Sequence, residues 1–458
     1  MKQKALIPAV VISLIFLSLN LPAASMMPSY AIEDPNSSRA MLEGENLLEN
    51  NVLTDSSDER YTVELSTIGR GDPLYTWFGH SGLIINDIKS GRSVMYDFGI
   101  FSFDEGFYQS FALGRLWYQA WGTSSPARFA LAEDEQRDVR TITLDFPQDV
   151  TLEILEHLNR TTDKAHSTYL YHHYWENCAT RIRDILDAAT GGQLKEYASG
   201  MPYPLTLREI VATRTASSPF IYWTLDFLQS GMIDRPITYW EAMFLPEIME
   251  EVILDFTYTD KNGEHRALAK ESAVINEEPK DLRPGTEENS RRADTLMIFF
   301  AVCLASLIHT AYIVSQTSRF SSVKKLFSHI HSTANIIWLL TASLYSLILL
   351  FMMTVSNHDV TYGNENILII SPLVLLSLLV FIRYVIRRKD DDTRFRKINT
   401  VSTSLIVLLL VAKGIFPESL YQHNAHIMAV MAPLYLVNST FFKHAYKTKE
   451  RTISDKTW

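Results

Sequence analysis

Cysteine is almost absent from this chain, which has only Cys178 and Cys303 among its 458 residues. Cys178 lies in a polar part of the sequence, whereas Cys303 lies in a long apolar run. We expect no disulfide, because one thiol would be in water and the other in lipid. A lone thiol in an exported segment suggests a reactive cysteine. The alternative is an inert cysteine that packs as a small hydrophobe.

An excess of positive charge is also missing. The chain has 42 Lys and Arg residues against 52 Asp and Glu residues, which gives a net charge of −10. This balance does not favour general nucleic-acid binding, and we expect no nucleic-acid partner. Internal repeats are absent. Hydrophobic residues make up 47% of the chain, which is enough for two or three domains, and the long apolar runs lie in its last third.

The N-terminus has the pattern of a secretory signal peptide. Lys2 and Lys4 precede an apolar stretch over residues 5–19 and the small residues Ala23, Ala24 and Ser25. We predict a signal peptide over residues 1–25, with an uncleaved anchor helix as the alternative, and a flexible lead-in over 26–58. Either signal exports the domain that follows. No cysteine follows the cleavage region, so the chain is not expected to be a lipoprotein itself.

Five apolar runs predict a membrane domain over residues 294–442. The first three runs have the length that a bilayer requires, and the last two are shorter. Lys and Arg cluster in the loops after the first and third runs and in the tail 443–458, but not in the loop 356–366. This alternation predicts a multi-pass protein of the bacterial inner membrane, with the N-terminal domain outside and the tail in the cytoplasm. The runs have few ionisable residues, which argues against a transporter. They cover residues 295–314, 335–355, 367–385, 401–415 and 427–442.

The sequence patterns of the exported part predict an α+β domain. Alternating apolar residues predict strands over 61–68, 81–86, 93–98 and 141–146. Helical spacing predicts helices over 151–161, 179–189, 220–229 and 240–256, the last one interrupted by Pro246. We assign residues 59–200 to a catalytic domain, 201–256 to a helical extension, and the charged segment 257–293 to a linker.

Cys178 is the candidate nucleophile. It stands at the start of a predicted helix whose buried face includes Ile182, Ile185 and Leu186. Free backbone N–H groups and the helix dipole at that end stabilise a thiolate and can hold an oxyanion. The alternative is that Cys178 only packs the start of the helix.

His80 and Asp97 are the candidate partners of this thiol. His80 follows a glycine-containing turn and begins an apolar strand, where it can act as the base, although alone it could equally be an ordinary structural histidine. If the hairpin turns near residues 89–90, Asp97 lies roughly opposite His80 on the next strand. It would then orient the imidazole as the third member of a triad.

Two further groups of side chains allow a functional interpretation. His172, His173 and Glu176 precede Cys178, but their spacing fits no zinc pattern, and we favour a turn that packs on the sheet. We therefore expect neither a metal nor another cofactor. The segment GRLWYQAWG at 114–122 places Arg115, Trp117 and Tyr118 as candidates for binding an acyl chain or a headgroup, with core packing as the alternative.

Several segments together resemble the Lnb-type lipoprotein transacylase family. They are GDPLYTWFGHSGLII, YDFGIFSFD, GRLWY and YWENCATRIRDIL, in this order and followed by five apolar runs. The resemblance implies a permuted papain-like fold in which the histidine precedes the cysteine. It also implies a thiol acyltransferase in which Cys178 carries the acyl group and His80 is the base. In such a reaction an acyl chain moves within a diacylated lipoprotein to its N-terminal amine. Asn177 matches the motif and is a candidate substrate-binding residue.

Three functions stay open from the sequence. The first is acyl transfer on a membrane lipid or lipoprotein. The second is a cysteine peptidase or amidase that acts on the cell wall with the same residues. The third is a non-catalytic envelope assembly factor, which would retain its function after Cys178→Ala.

Overall fold

The computed structural model describes residues 60–103, 106–278, 287–387 and 392–442. Contacts divide the chain into two compact units. Of the described residues, 60–207 and 236–278 fall in the first unit, and 208–235, 287–387 and 392–442 fall in the second. The expected signal peptide, the lead-in over 26–58 and the cytoplasmic tail over 443–458 lie outside the described residues and stay predictions.

The first unit is built on a seven-stranded antiparallel sheet with the order β6-β4-β3-β2-β1-β5-β9. Helices pack on this sheet, which confirms the α+β fold class. A separate hairpin consists of β7 and β8. The strands are β1 Tyr61–Ile68, β2 His80–Asp87, β3 Arg92–Ile100, β4 Trp117–Ser124, β5 Val139–Leu144, β6 Thr168–Leu170, β7 Thr257–Thr259, β8 His265–Ala267 and β9 Ala269–Asn276.

The hairpin between β2 and β3 fixes the position of the site residues. Asp87 accepts hydrogen bonds from the N–H groups of Lys89 and Ser90, and Gly91 adopts a φ of 69° that favours glycine. This turn sets the register in which Gly82 lies opposite Asp97. His80 is therefore two residues from the position directly opposite Asp97 and on the same face, so the two residues are diagonal neighbours across the strands.

Nine helices lie among the described residues between 106 and 256. Their bounds are α1 Phe107–Ala112, α2 Ser125–Asp134, α3 Gln148–Thr162, α4 Cys178–Ala189, α5 Gln193–Ser199, α6 Leu207–Thr215, α7 Pro219–Leu228, α8 Tyr239–Ala242 and α9 Pro246–Asp255. Helix α4 packs against β2 and β3. Its residues Ile182, Ile185 and Leu186 are buried, as their helical spacing predicts.

The linker assigned to residues 257–293 is wrong over its first part. Residues 257–276 form β7, β8 and β9, and β9 pairs with β5 at the edge of the main sheet. Most side chains of β9 are exposed. A strand exposed on both faces has no alternation of apolar and polar residues, so the sequence pattern could not indicate it.

The helical extension assigned to residues 201–256 is divided between the two units. Residues 208–235, which include α7 and most of α6, belong to the second unit. Buried Arg208 donates hydrogen bonds to Asp226 and Asp234, and His426 forms an ion pair with Asp226 at 2.7 Å. These charged contacts hold the segment to the C-terminal helices of the same unit.

The second unit also contains the apolar C-terminal helices. Four of its helical segments are long and apolar enough to cross a membrane, and Ala425–Val437 is a shorter apolar helix. Pro372 lies in the break between the helices Asn366–Ile369 and Leu373–Arg387, where its missing N–H prevents a continuous helix. The helices are α10 Glu287–Thr317, α11 Ser321–Thr354, α12 Asn366–Ile369, α13 Leu373–Arg387, α14 Thr393–Ile415 and α15 Ala425–Val437.

Candidate active site

Cys178 is the first residue of α4. Asn177 caps this helix, because its side chain accepts a hydrogen bond from the Thr180 N–H at 2.9 Å while the Thr180 hydroxyl accepts one from the Asn177 N–H at 2.8 Å. The Asn177 amide also donates to the carbonyl of Phe244 at 2.8 Å. These bonds fix the start of α4, and Cys178 is held there with only 9% of its surface exposed.

His80 bridges the thiol and a buried carboxylate. Its Nε2 atom lies 2.5 Å from Oδ1 of Asp97, and the two side chains are 15% and 1% exposed. The imidazole also hydrogen bonds with Cys178. Because Nε2 is occupied by Asp97, Nδ1 is the nitrogen that remains for the sulfur. The structure thus brings Cys178, His80 and Asp97 into one chain of contacts.

The electrostatics favour a thiolate and an imidazolium. Burial opposes the charge on His80, but the Cys178 sulfur and then Asp97 outweigh it and raise the pKa of His80 to about 9. Burial likewise opposes ionisation of Cys178, but His80 outweighs it and lowers the pKa of the thiol. The N–H groups of Ser81 and Ala179 also hydrogen bond to the sulfur and act in the same direction. A cysteine in this state is a strong nucleophile near neutral pH.

Arg128 is a member of the site that the sequence analysis missed. It lies on α2, with Nε 3.5 Å from Oδ2 of Asp97, and its side chain is 13% exposed. Burial opposes the charge on Asp97, but Arg128 and then His80 hold the pKa of that carboxyl below its usual range. Asp97 therefore stays ionised and can hold the imidazolium. No motif surrounds Arg128, and only the packing of α2 on β3 reveals its role.

Two tyrosines adjoin the thiol. Burial and then the charge of Cys178 raise the pKa values of Tyr169 and Tyr171, so both phenols keep their protons. The Arg181 guanidinium lies 4.4 Å from the Tyr169 ring centre, and the Tyr171 ring packs on Tyr118 at 4.7 Å. The tyrosine-rich sequence before Cys178 was the available signal, although it indicated packing and not proximity to the sulfur.

The four candidate substrate-binding residues lie in different environments. Arg115 is exposed, and Trp117 is 62% exposed, whereas Tyr118 is buried. Trp117 and Tyr118 are successive residues of β4 and therefore point to opposite faces of the sheet. Tyr118 reaches the surroundings of Cys178 through Tyr171. Asn177 is 6% exposed; its amide oxygen caps the helix and its amide N–H groups donate to the carbonyls of His173 and Phe244. These bonds position the start of α4, and a substrate contact of Asn177 stays a prediction.

His172 organises the turn before Cys178. Its Nδ1 atom accepts the N–H groups of Tyr174 and Trp175 at 3.1 and 3.2 Å, and its ring stacks on Trp175. The backbones of His172 and Glu176 are bridged by two hydrogen bonds. This geometry is that of a packed turn, and the turn leads directly into the start of α4.

Two family models match the chain in the order that the sequence segments indicate. Residues 50–213 match the Lnb N-terminal periplasmic domain, and residues 294–449 match the Lnb transmembrane domain. Together the two matches cover more than half of the chain. No curated protein and no solved structure matches it. The matches indicate a membrane protein whose N-terminal domain is extracytoplasmic.

Proposed function

Because this chain belongs to the Lnb family, we propose that it is a membrane-anchored thiol acyltransferase that acts on a lipid or lipoprotein. Cys178 carries the acyl group and His80 transfers the proton. The observation that carries this proposal is the buried pair of Cys178 and His80, which Asp97 supports from behind. The protein would lie in the inner membrane, with its active domain outside and its C-terminus in the cytoplasm.

The first half-reaction forms an acyl-enzyme. The Cys178 thiolate attacks the ester carbonyl of the donor, and the carbonyl electrons move to oxygen. At the start of α4 the Thr180 N–H is bound by the Asn177 cap and the Ala179 N–H by the sulfur, so the N–H of Cys178 itself is the donor suited to this oxyanion. When the C–O bond breaks, the leaving alkoxide takes the proton from the His80 imidazolium. A thioester on Cys178 and a neutral His80 result.

The second half-reaction returns the site to its starting state. A neutral amine attacks the thioester carbonyl, His80 accepts the amine proton, and the C–S bond breaks to release the thiolate. The product is an amide. If water were the acceptor, the product would be a free acid. The aromatic surroundings of Tyr171 and Tyr118 favour an apolar acyl donor over a polar wall peptide.

The decisive experiment is mass spectrometry of lipoprotein N-terminal peptides from cells that lack other N-acylation. Such cells would express the wild-type chain, Cys178→Ala, or Cys303→Ala as the matched control for thiol loss. We expect N-acylated peptides with the wild type and with Cys303→Ala, and none with Cys178→Ala.

The product mass identifies the donor. A chain that moves within the lipoprotein gives an N-acylated lyso-form, whereas a separate phospholipid donor gives a triacylated form. Unchanged lipoproteins with the wild type would contradict lipoprotein acylation. N-acylation that persists in Cys178→Ala would contradict the thioester mechanism.

A further inference from the structure

Aromatic side chains form a continuous cluster that begins beside the nucleophile. Tyr171, which interacts electrostatically with Cys178, packs on Tyr118 with ring centres 4.7 Å apart. Tyr118 stacks on Phe101 at 4.9 Å, and Phe101 contacts Phe103 at 5.2 Å and Phe107 at 5.5 Å. Phe107 in turn contacts Phe111 at 6.0 Å. We call these six side chains, Phe101, Phe103, Phe107, Phe111, Tyr118 and Tyr171, the aromatic cluster.

The far end of the aromatic cluster is open to solvent. Phe103 is 36% exposed and Phe111 is 42% exposed, although Tyr118 is only 7% exposed. The short helix α1 contributes Phe107 and Phe111, and none of its residues is buried. Each Å² of apolar ring surface that stays in water lacks about 25 cal/mol of the stabilising free energy that burial would give. A contiguous apolar patch of this kind marks a surface that binds a protein, a membrane or an apolar ligand.

The backbone at the end of β3 is shaped to bring Tyr171 into this position. Gly99 has a φ of 83°, and a Cβ atom there would lie 3.0 Å from the Tyr171 ring. The pairing of β3 with β4 shifts between Phe98 and Ile100, which is the signature of a bulge. The missing side chain at Gly99 thus makes room for the tyrosine, and the irregular strand end leads directly to Phe101.

We infer that the aromatic cluster binds the acyl chain of the donor, with the carbonyl at Cys178 and the chain extending over Tyr118 and Phe101 towards Phe103 and Phe111. This inference rests on the proposed function. The position of the cluster selects the occupant, because a chain bonded to a carbonyl at the sulfur must leave the site along the adjoining surface. The rings are neutral, as a hydrocarbon chain requires.

The test measures acylation of Cys178 in the full-length chain, purified in lipid nanodiscs. The probes are p-nitrophenyl acetate and p-nitrophenyl decanoate, and the burst of nitrophenolate reports formation of the thioester. The variants are Phe103→Ala, Phe111→Ala and their combination. Tyr197→Ala is the matched control, because Tyr197 is an aromatic residue of α5 that is 38% exposed and lies outside the aromatic cluster.

We expect the combined variant to lower kcat/KM for the decanoate by about tenfold, which corresponds to about 1.4 kcal/mol of lost apolar contact. The rate with acetate should stay within about twofold of the wild-type rate, and Tyr197→Ala should match the wild type with both esters. An equal loss with both esters would show a general structural defect and overturn the inference, as would equal rates with decanoate in all variants. If the wild type formed no thioester with either ester, the proposed function itself would fail.

Discussion

The charge of Asp97 offers the sharpest test of the site, through the variant Asp97→Asn. Asparagine keeps the shape of the side chain but removes the negative charge 2.5 Å from Nε2 of His80. The imidazolium then loses a buried counter-charge, so the pKa of His80 falls. A less protonated imidazole stabilises the thiolate less, so the pKa of Cys178 rises. Two opposite shifts are therefore expected from one substitution.

The structure limits how far Asp97→Asn can lower the thiolate population of Cys178. The pKa of His80 is raised from 6.5 to about 9, and Cys178 contributes more to this rise than Asp97 does. With a pKa of about 9, His80 is almost fully protonated at neutral pH. If its pKa returned all the way to 6.5, only about a tenth of the imidazole would be protonated at pH 7.5. We therefore expect Asp97→Asn to lower the thiolate population at pH 7.5 by between about threefold and tenfold.

Alkylation by iodoacetamide as a function of pH measures this population directly. A Cys303→Ser background leaves Cys178 as the single thiol. In the wild type the rate should rise well below pH 9 and then level off, whereas in Asp97→Asn the rise should move to higher pH. The alkaline limb of kcat/KM, which is expected near pH 9 because the imidazolium is the acid, should move to lower pH. Identical alkylation profiles for the two proteins would refute the charge argument, and so would a wild-type rise only near pH 9.

Three other substitutions test the support of the site and of the second unit. Asn177→Ala should destabilise the first unit by about 1–2 kcal/mol through loss of the helix cap, measured by thermal unfolding, and a stability equal to the wild type would contradict the cap. Gly99→Ala should slow acylation without changing Cys178 alkylation, because a Cβ would meet the Tyr171 ring at 3.0 Å; unaltered acylation would count against the close approach. Arg208→Ala should cost about 3–5 kcal/mol, because it removes the buried guanidinium that Asp226 and Asp234 share and leaves these carboxylates with only His426 and His423 as ion-pair partners. The exposed Arg115→Ala is its control, and equal melting temperatures of the two variants would contradict this assignment.

Much of the local structure could be predicted because it depends on neighbours in the sequence. The strand β1 has the predicted bounds of residues 61–68, and α4 begins within one residue of its prediction. Both elements have a buried face, so their apolar residues recur with the period of the element. The edge strand β9 and the short helix α1 lack such a face, and no periodic pattern indicated either of them.

The sequence by itself determined which reactive groups are present and where they stand on the secondary structure: a cysteine at a helix start, a histidine at a strand start and an aspartate on the next strand. It also determined the series of apolar helices. The nature and order of these residues also determined the family. The tertiary structure decided which groups meet. Arg128 reaches Asp97 from another helix, Tyr171 reaches the surroundings of Cys178, and residues 208–235 pack with the second unit. Such contacts depend on how distant segments pack, and the local periodicity of a sequence does not encode that packing.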